Sequence, residues 1–140
     1  QWYLEAGRRI VALAFLDPRR HNIKDDAFWA FASARLVDFI LWADLAQTEV
    51  EFLNRVHLGR GLGPCREAEQ IAHRFFENGL VVLNHSREDR QLRLRVASEL
   101  AGAELLDLYD GNKSLPLDEG VLEVRVPAQA ARIFVVQERD

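Results

Sequence analysis

The chain has 140 residues and a formal net charge of −4; 49% of its residues are apolar and 29% are charged. This balance is typical of a globular protein, and the interleaved charges of both signs leave no basic face for nucleic acid or a membrane surface. The single cysteine, Cys65, excludes an internal disulfide and a thiolate metal cage. No apolar run reaches the roughly 18 residues that a membrane-spanning helix needs.

The first 64 residues have the pattern of an α/β protein. A continuous apolar run at residues 10–16, closed by Asp17 and Pro18, predicts a parallel strand that is buried on both faces. A polar loop follows, and either Asp25 or Asp26 is placed to cap the next helix. Apolar residues at helical spacing predict that this helix ends near residue 38. A second buried strand is predicted at 39–43 and a further helix at 47–58, which ends at the glycine-rich residues 59–63.

From about residue 71 the apolar period changes from 3.6 to 2, which indicates an antiparallel β domain. The dipeptide Asn78-Gly79 between two apolar runs is a strong hairpin signal. We expect six strands in a sandwich or curled sheet, apolar on one face and wet on the other. Their predicted ranges are 71–77, 80–84, 91–96, 105–109, 121–126 and 132–136. The change of period places a domain boundary near residue 65, between domains 1–64 and 65–140.

Two parallel strands with flanking helices do not form a stable unit, because their edges leave backbone donors and acceptors unpaired. The sequence also contains no methionine and opens in what reads as the last turn of a helix. We therefore expect a fragment or a processed product, whose first half is completed by missing chain, by another chain or by a further copy of itself. The alternative is a self-contained α+β domain in which the first 60 residues pack on the β sheet.

Several segments resemble those of carbohydrate-active β/α barrels. Residues 4–12 (LEAGRRIVA) are similar to the helix end that leads into a barrel strand. Residues 58–64 (LGRGLGP) and 74–84 (RFFENGLVVLN) are similar to the loop and first hairpin that open the C-terminal β domain of those proteins. Residues 107–111 (DLYDG) and 120–127 (GVLEVRVP) are similar to its final hairpins. The resemblance implies strands seven and eight of a TIM-type barrel in a glycoside-hydrolase-like protein, followed by a small antiparallel β-sandwich domain.

The candidate catalytic residues follow from this architecture. Active sites of β/α barrels lie at the carboxyl ends of the strands, where the sequence has Asp17 and Asp44. Glycoside hydrolysis uses two carboxyl groups about 5 to 9.5 Å apart, a spacing that adjacent strands allow. Trp42 is a candidate for stacking on a sugar ring, and His21 and Asp25, in the loop above the first strand, are candidates for substrate contact.

Each carboxylate also has a structural interpretation. Asp17 precedes a proline and forms an ordinary turn signal, and Asp44 is placed to cap the following helix. The resemblance further implies that the acid/base lies on an earlier strand, outside these residues. Two short segments, at Asn84 and Asn112, match the N-glycosylation pattern.

The sequence thus predicts part of a glycoside hydrolase that acts on carbohydrate without a redox cofactor and with most catalytic residues outside the chain. No metal site is predicted, since the histidines are scattered over different elements. The expected partners are carbohydrate and the remainder of the barrel, another chain or a homo-oligomer. The alternative function is a non-catalytic carbohydrate-binding or protein-interaction module that completes a partner's fold.

Overall fold

A computed structural model describes residues 11–14, 23–37, 40–43, 51–115 and 117–137. The first part contains strand β1 (Val11–Ala14), helix α1 (Ile23–Leu36), strand β2 (Ile40–Ala43) and a short 3-10 helix (Glu51–Arg55). Strands β1 and β2 are parallel, with Val11 opposite Ile40. The predicted parallel pair is therefore confirmed.

The described residues from 66 onward form nine strands and a second 3-10 helix (Ser98–Leu100). The strands are β3 (Arg66–Ala68), β4 (Ile71–Phe76), β5 (Gly79–Asn84), β6 (Arg90–Arg95), β7 (Leu105–Asp107), β8 (Lys113–Leu115), β9 (Leu117–Asp118), β10 (Val121–Val126) and β11 (Ala130–Val136). They build a six-stranded sheet in the order β3-β4-β5-β11-β7-β8 and a three-stranded sheet in the order β6-β10-β9. All pairings in both sheets are antiparallel.

The six-stranded sheet is buried on both of its faces. One face packs against α1 and the first 3-10 helix through a core that includes Phe28, Leu53 and Ile133. The other face packs against the three-stranded sheet through a second core, which includes Leu80 and Leu122. The layers are therefore helix, large sheet and small sheet, and each layer interface excludes apolar surface from water.

Helix α1 is covered on more than one side. It contacts strands β4, β5 and β11 of the large sheet, and it also contacts β2 of the parallel pair. None of the residues whose side chains are described within the helix, 24–36, is fully exposed. Asp25 and Asp26 lie in its first turn and Arg35 in its last, which complements the helix dipole at both ends. The helix links the parallel pair to the β sandwich, and this contact is also the one that the self-contained α+β alternative requires.

The structure corrects several predictions about the elements. The β region has nine strands and not six, because three short strands (β3, β8 and β9) carry no usable alternation. Strands β4 and β5 are buried along nearly their whole length, so the centre of the large sheet is covered on both faces, and exposed residues lie on its edge strands β3 and β8. Only the outer sheet alternates as expected, for example along β6. Within the described part of the predicted helix 47–58, residues 51–55 form a 3-10 helix and 56–58 are not helical.

The hairpin at Asn78-Gly79 is present, but its turn is one residue earlier than predicted. Gly79 pairs with Phe76, so Glu77 and Asn78 form the turn. Gly79 does not adopt a positive φ; the left-handed turn residues lie elsewhere, as at Glu69 and Gln70 between β3 and β4. A Cβ on Gly79 would lie 2.3 Å from the backbone oxygen of Phe134, so this glycine permits close strand packing. No helix in the described part of the chain is long and apolar enough to cross a membrane.

Candidate functional site

Tyr109 joins helix α1 to the β sandwich. It follows β7, and its hydroxyl donates a 2.5 Å hydrogen bond to Oδ1 of Asp25, in the first turn of the helix. Its ring packs edge-on against the buried ring of Phe28, with centroids 5.1 Å apart. The hydrogen bond to Asp25, together with burial, raises the pKa of Tyr109. The phenol is therefore held in its neutral, donating form.

Two cations cover the ring of Tyr109. The Lys24 ammonium nitrogen lies 4.0 Å from the ring centroid and donates a 2.6 Å hydrogen bond to the Tyr109 carbonyl oxygen. The Arg132 guanidinium carbon, from β11, lies 3.6 Å from the same centroid. Cations over an aromatic face are attracted by the ring quadrupole. The helix, the turn after β7 and strand β11 are thus bound together at one ring.

Asp107 is a nearly buried carboxylate beside this junction. Its Oδ1 accepts a 3.0 Å hydrogen bond from the backbone N–H of Tyr109. Burial raises the pKa of Asp107, while the Tyr109 N–H and the charge of Arg132 oppose that shift. Buried carboxylates with a raised pKa occur at catalytic sites and at structural ones. Here the hydrogen bond shapes the turn that carries Tyr109, which supports the structural interpretation.

Arg74 connects the sheet to the end of helix α1. Its Nε donates a 2.8 Å hydrogen bond to the carbonyl of Gly63, and its Nη1 donates a 3.1 Å hydrogen bond to the carbonyl of Arg35. Its guanidinium carbon lies 5.2 Å from the ring centroid of Phe76. Arg35 is in the last turn of the helix, where carbonyls have no partner within the helix. Arg74 therefore caps the helix from the sheet.

A groove of about 410 Å³ opens between the first 3-10 helix and the six-stranded sheet. Its described lining combines apolar side chains with amides, an imidazole and a guanidinium, and no carboxylate is among those residues. They are Phe52, Arg55, Val56, His57, Asn78, Leu108, Asn112, Val135 and Val136. A volume of this size and a mostly apolar wall with a few polar groups are typical of small-molecule sites. The groove is large enough for a small ligand, and its described lining contains no carboxylate that could act as an acid or base.

The groove is continuous with the Tyr109 junction. Phe52, from the 3-10 helix, lies 5.9 Å from Phe28 between ring centroids, and Phe28 in turn contacts Tyr109. Leu108, which lines the groove, stands directly before Tyr109 in the chain. The wall of the groove is thus backed by the packed aromatic cluster that holds helix α1.

The predicted site residues fall mostly outside the described residues. Asp17, Asp44 and His21 lie there, as does the side chain of Trp42, whose backbone belongs to β2. Asp25 is described, and it lies in the first turn of α1 and not in the loop before the helix. Its carboxylate is the acceptor for Tyr109. The geometry that would join Asp17 with Asp44 remains a prediction.

Of the residues that build the junction and the groove, the sequence analysis singled out Asp25 as a candidate for substrate contact, and it did not predict their meeting at one site. Arg74 carried a usable signal, because it is a charged residue in an otherwise apolar strand. Tyr109, Arg132 and Phe52 carried none, since their meeting depends on the packing of distant elements. Among the described residues no group of three or more histidine, cysteine, aspartate or glutamate side chains is arranged to hold a metal ion.

Comparison with solved structures gives whole-chain likenesses. AmyP, in a variant bound to maltotriose, matches 95% of this chain with a TM-score of 0.62 and 10% identity. An α-amylase from Anoxybacillus matches 99% with a TM-score of 0.55 and 10% identity. Xyn30A, a glycoside hydrolase family 30 subfamily 8 xylanase from Clostridium acetobutylicum, matches 96% with a TM-score of 0.52 and 10% identity. The matches cover 42%, 41% and 44% of those solved chains, respectively.

No protein-family model and no curated protein matches the sequence. At such low identity the structural likeness shows the fold alone, a β-rich fold that the chain shares with part of each of these solved chains. The chain spans about two fifths of the length of these neighbours.

Proposed function

We propose that the chain is the C-terminal part of a glycoside hydrolase that cleaves glycosidic bonds, with most of its catalytic residues outside these 140 residues. The observation that carries the proposal is the match of nearly the whole chain to carbohydrate-active enzymes with different substrates. Because an α-amylase and a xylanase share this fold, the likeness supports a reaction class and does not select a sugar.

The arrangement of the layers supports the same proposal. Strands β1 and β2 are parallel, and in the described residues each pairs only with the other. Apolar parallel strands of this kind are normally covered on both faces and flanked by further strands. In the proposed protein β1 and β2 are the seventh and eighth barrel strands. Helix α1, held by Tyr109 and Arg74, then fixes the barrel to the β sandwich.

On this proposal Asp17 and Asp44, at the carboxyl ends of the two strands, face the substrate. One carboxyl group would act as nucleophile or base, or would stabilise the transition state, together with an acid from an earlier strand. Trp42 and His21 would contact the sugar beside them. Asp25 stays a candidate for substrate contact, and its Oδ1 already accepts one hydrogen bond from Tyr109.

The test is hydrolysis of a panel of aryl α- and β-glycosides by the complete protein. We expect turnover of at least one glycoside, and we expect Asp17→Asn or Asp44→Asn to lower kcat by about a hundredfold or more. Asp118→Asn is the matched control, because Asp118 is exposed at the end of β9 in the outer sheet. Absence of hydrolysis across the panel, or equal activity of all three variants, would contradict the proposal.

A further inference from the structure

We infer that the groove beside the 3-10 helix is an accessory binding site for a neutral oligosaccharide, lined by residues other than the proposed catalytic carboxylates. The inference rests on the proposed function for the class of ligand. The site itself is argued from the lining of the groove, which the comparisons do not address.

The lining of the groove contains side-chain amides that are available to hydrogen-bond a ligand, and the first belongs to Asn112. Asn112 has a left-handed backbone (φ 64°), held by a 2.9 Å hydrogen bond from its N–H to the carbonyl of Asp107. Its side-chain amide makes no hydrogen bond to the described part of the protein. Such an amide offers both a donor and an acceptor to a ligand.

Asn78 provides a second amide in the lining of the groove, and two backbone hydrogen bonds fix its main chain. Its N–H donates to the carbonyl of Leu58, and its carbonyl accepts from the N–H of Val136, both at 2.9 Å. Its side-chain nitrogen makes one long contact of 3.4 Å with the carbonyl of His57. The side-chain oxygen of Asn78 has no donor among the described residues. Both amides are exposed, and each can donate to and accept from the hydroxyl groups of a sugar.

One wall of the groove is apolar and begins at Phe52. Phe52 is partly buried, packs against Phe28 and contributes to the lining of the groove. An aromatic side chain backed by a packed cluster is rigid, so it can contact the apolar C–H face of a pyranose with little loss of conformational entropy. Leu108 and Val135 extend this wall. No carboxylate is among the described lining residues, so these residues are not the catalytic pair of a glycosidase.

The test is an NMR titration of the complete protein with maltotriose and, separately, with xylotriose. We expect saturable shifts of groove amides with at least one of the two sugars. Phe52→Leu should weaken that binding about tenfold, and Asn112→Gly, which keeps the left-handed backbone, should weaken it about fivefold. Gln91→Ala, on the exposed face of the outer sheet, is the control and should bind as the parent does.

Shifts that are absent with both sugars, or that remain unchanged in both groove variants, would overturn the inference. The result is independent of the glycosidase assay. Saturable binding without hydrolysis by the complete protein would remove the proposed function and leave the groove as a saccharide site. Hydrolysis by the complete protein without groove binding would remove only this inference.

Discussion

At the scale of single residues, Gly79 of strand β5 lies close to both strand β11 and the side chain of Leu58. A Cβ at this position would lie 2.3 Å from the oxygen of Phe134 and 2.7 Å from Cδ2 of Leu58. The backbone atom cannot move without disturbing the pairing of β5 with β11, so the crowding must be relieved at a cost. We predict that Gly79→Ala lowers the free energy of unfolding by about 1 to 3 kcal/mol, as measured by urea denaturation.

Gln91→Ala serves as the reference for that measurement, because Gln91 is exposed on β6 of the outer sheet. Equal stability of the two variants would show that the sheet at Gly79 is less closely packed than described. The sequence indicated Gly79 as a turn residue, and only the structure shows that the missing side chain is needed for close packing against Phe134.

Asp107 gives a prediction about pH. Burial raises its pKa above the ordinary value of 3.8, so the unfolded chain ionises this carboxyl at a lower pH than the folded protein does. The protonated Asp107 carboxyl therefore contributes its full stabilisation below pH 3.8, and this stabilisation is lost as the pH rises through the pKa of the folded protein. An asparagine at position 107 keeps a side-chain oxygen that can accept the hydrogen bond from the Tyr109 N–H. We predict that Asp107→Asn is more stable than the parent at pH 7 and loses this advantage in acid.

Asp89 is a control whose pKa is shifted in the opposite direction. It is measured in the same pH series, by thermal or urea unfolding. The N–H of Ala128, then Arg125, lower the pKa of Asp89, each through a 2.9 Å hydrogen bond. Its stabilising contribution is present at neutral pH and is lost as the pH falls through the lowered pKa. Asp89→Asn should therefore be less stable than the parent at pH 7. If Asp107→Asn were less stable than the parent at pH 7, the conclusion that the ionised Asp107 carboxylate destabilises the folded protein would be wrong.

Asn84 shows where a short motif misleads. It matches the glycosylation pattern with Ser86, yet its side chain is 0% exposed. Its amide nitrogen donates to the carbonyls of Glu88, Val126 and Pro127, and its oxygen accepts from Ser86. The amide is fully used in holding the loop after β5 against the end of β10, so it is inaccessible in the folded protein. Only burial, which no three-residue pattern encodes, distinguishes it from the exposed Asn112.

At the scale of elements, Arg74 ties strand β4 to both the glycine-rich loop and helix α1. Its side chain is nearly buried and donates to carbonyls of Gly63 and Arg35. Gly61 leaves room for this guanidinium, since a Cβ there would lie 2.3 Å from it. We predict that Arg74→Met lowers the free energy of unfolding by about 3 kcal/mol, because two carbonyls lose charged donors.

Arg93→Met is the matched control for urea unfolding, because Arg93 is exposed on β6 and its contact with Glu123 is 3.8 Å long. It should change stability by less than about 0.5 kcal/mol. If Arg74→Met were as mild as Arg93→Met, the capping of the helix from the sheet would be wrong.

The elements that the sequence predicted well are those with a regular apolar period. Residues 121–126 alternate cleanly and form β10 with the predicted bounds, and the apolar run at 39–43 contains β2. The missed strands are two or three residues long and take their pairing from neighbours. The expected wet face of the large sheet was wrong because helix α1 covers it, and that contact joins residues far apart in the chain.

At the scale of the whole molecule, helix α1 lies between the parallel pair and the sandwich. It contacts β2 as well as three strands of the large sheet. This arrangement makes the two halves recognised in the sequence dependent on one another. The sequence indicated an α/β pattern, an antiparallel β pattern and the change between them near residue 65. It could not indicate that helix α1 packs against both halves, because apolar periodicity shows which residues are buried and not which element covers them.

The measurement that tests the central claim most directly is the native mass of the protein from its original source, by gel filtration with light scattering combined with thermal unfolding. We predict that the parallel pair is completed by the remainder of the barrel, by another chain or by further copies, so the native mass exceeds the 16.0 kDa of this chain. A 16.0 kDa monomer with one cooperative unfolding transition would contradict it and would instead support the self-contained α+β domain.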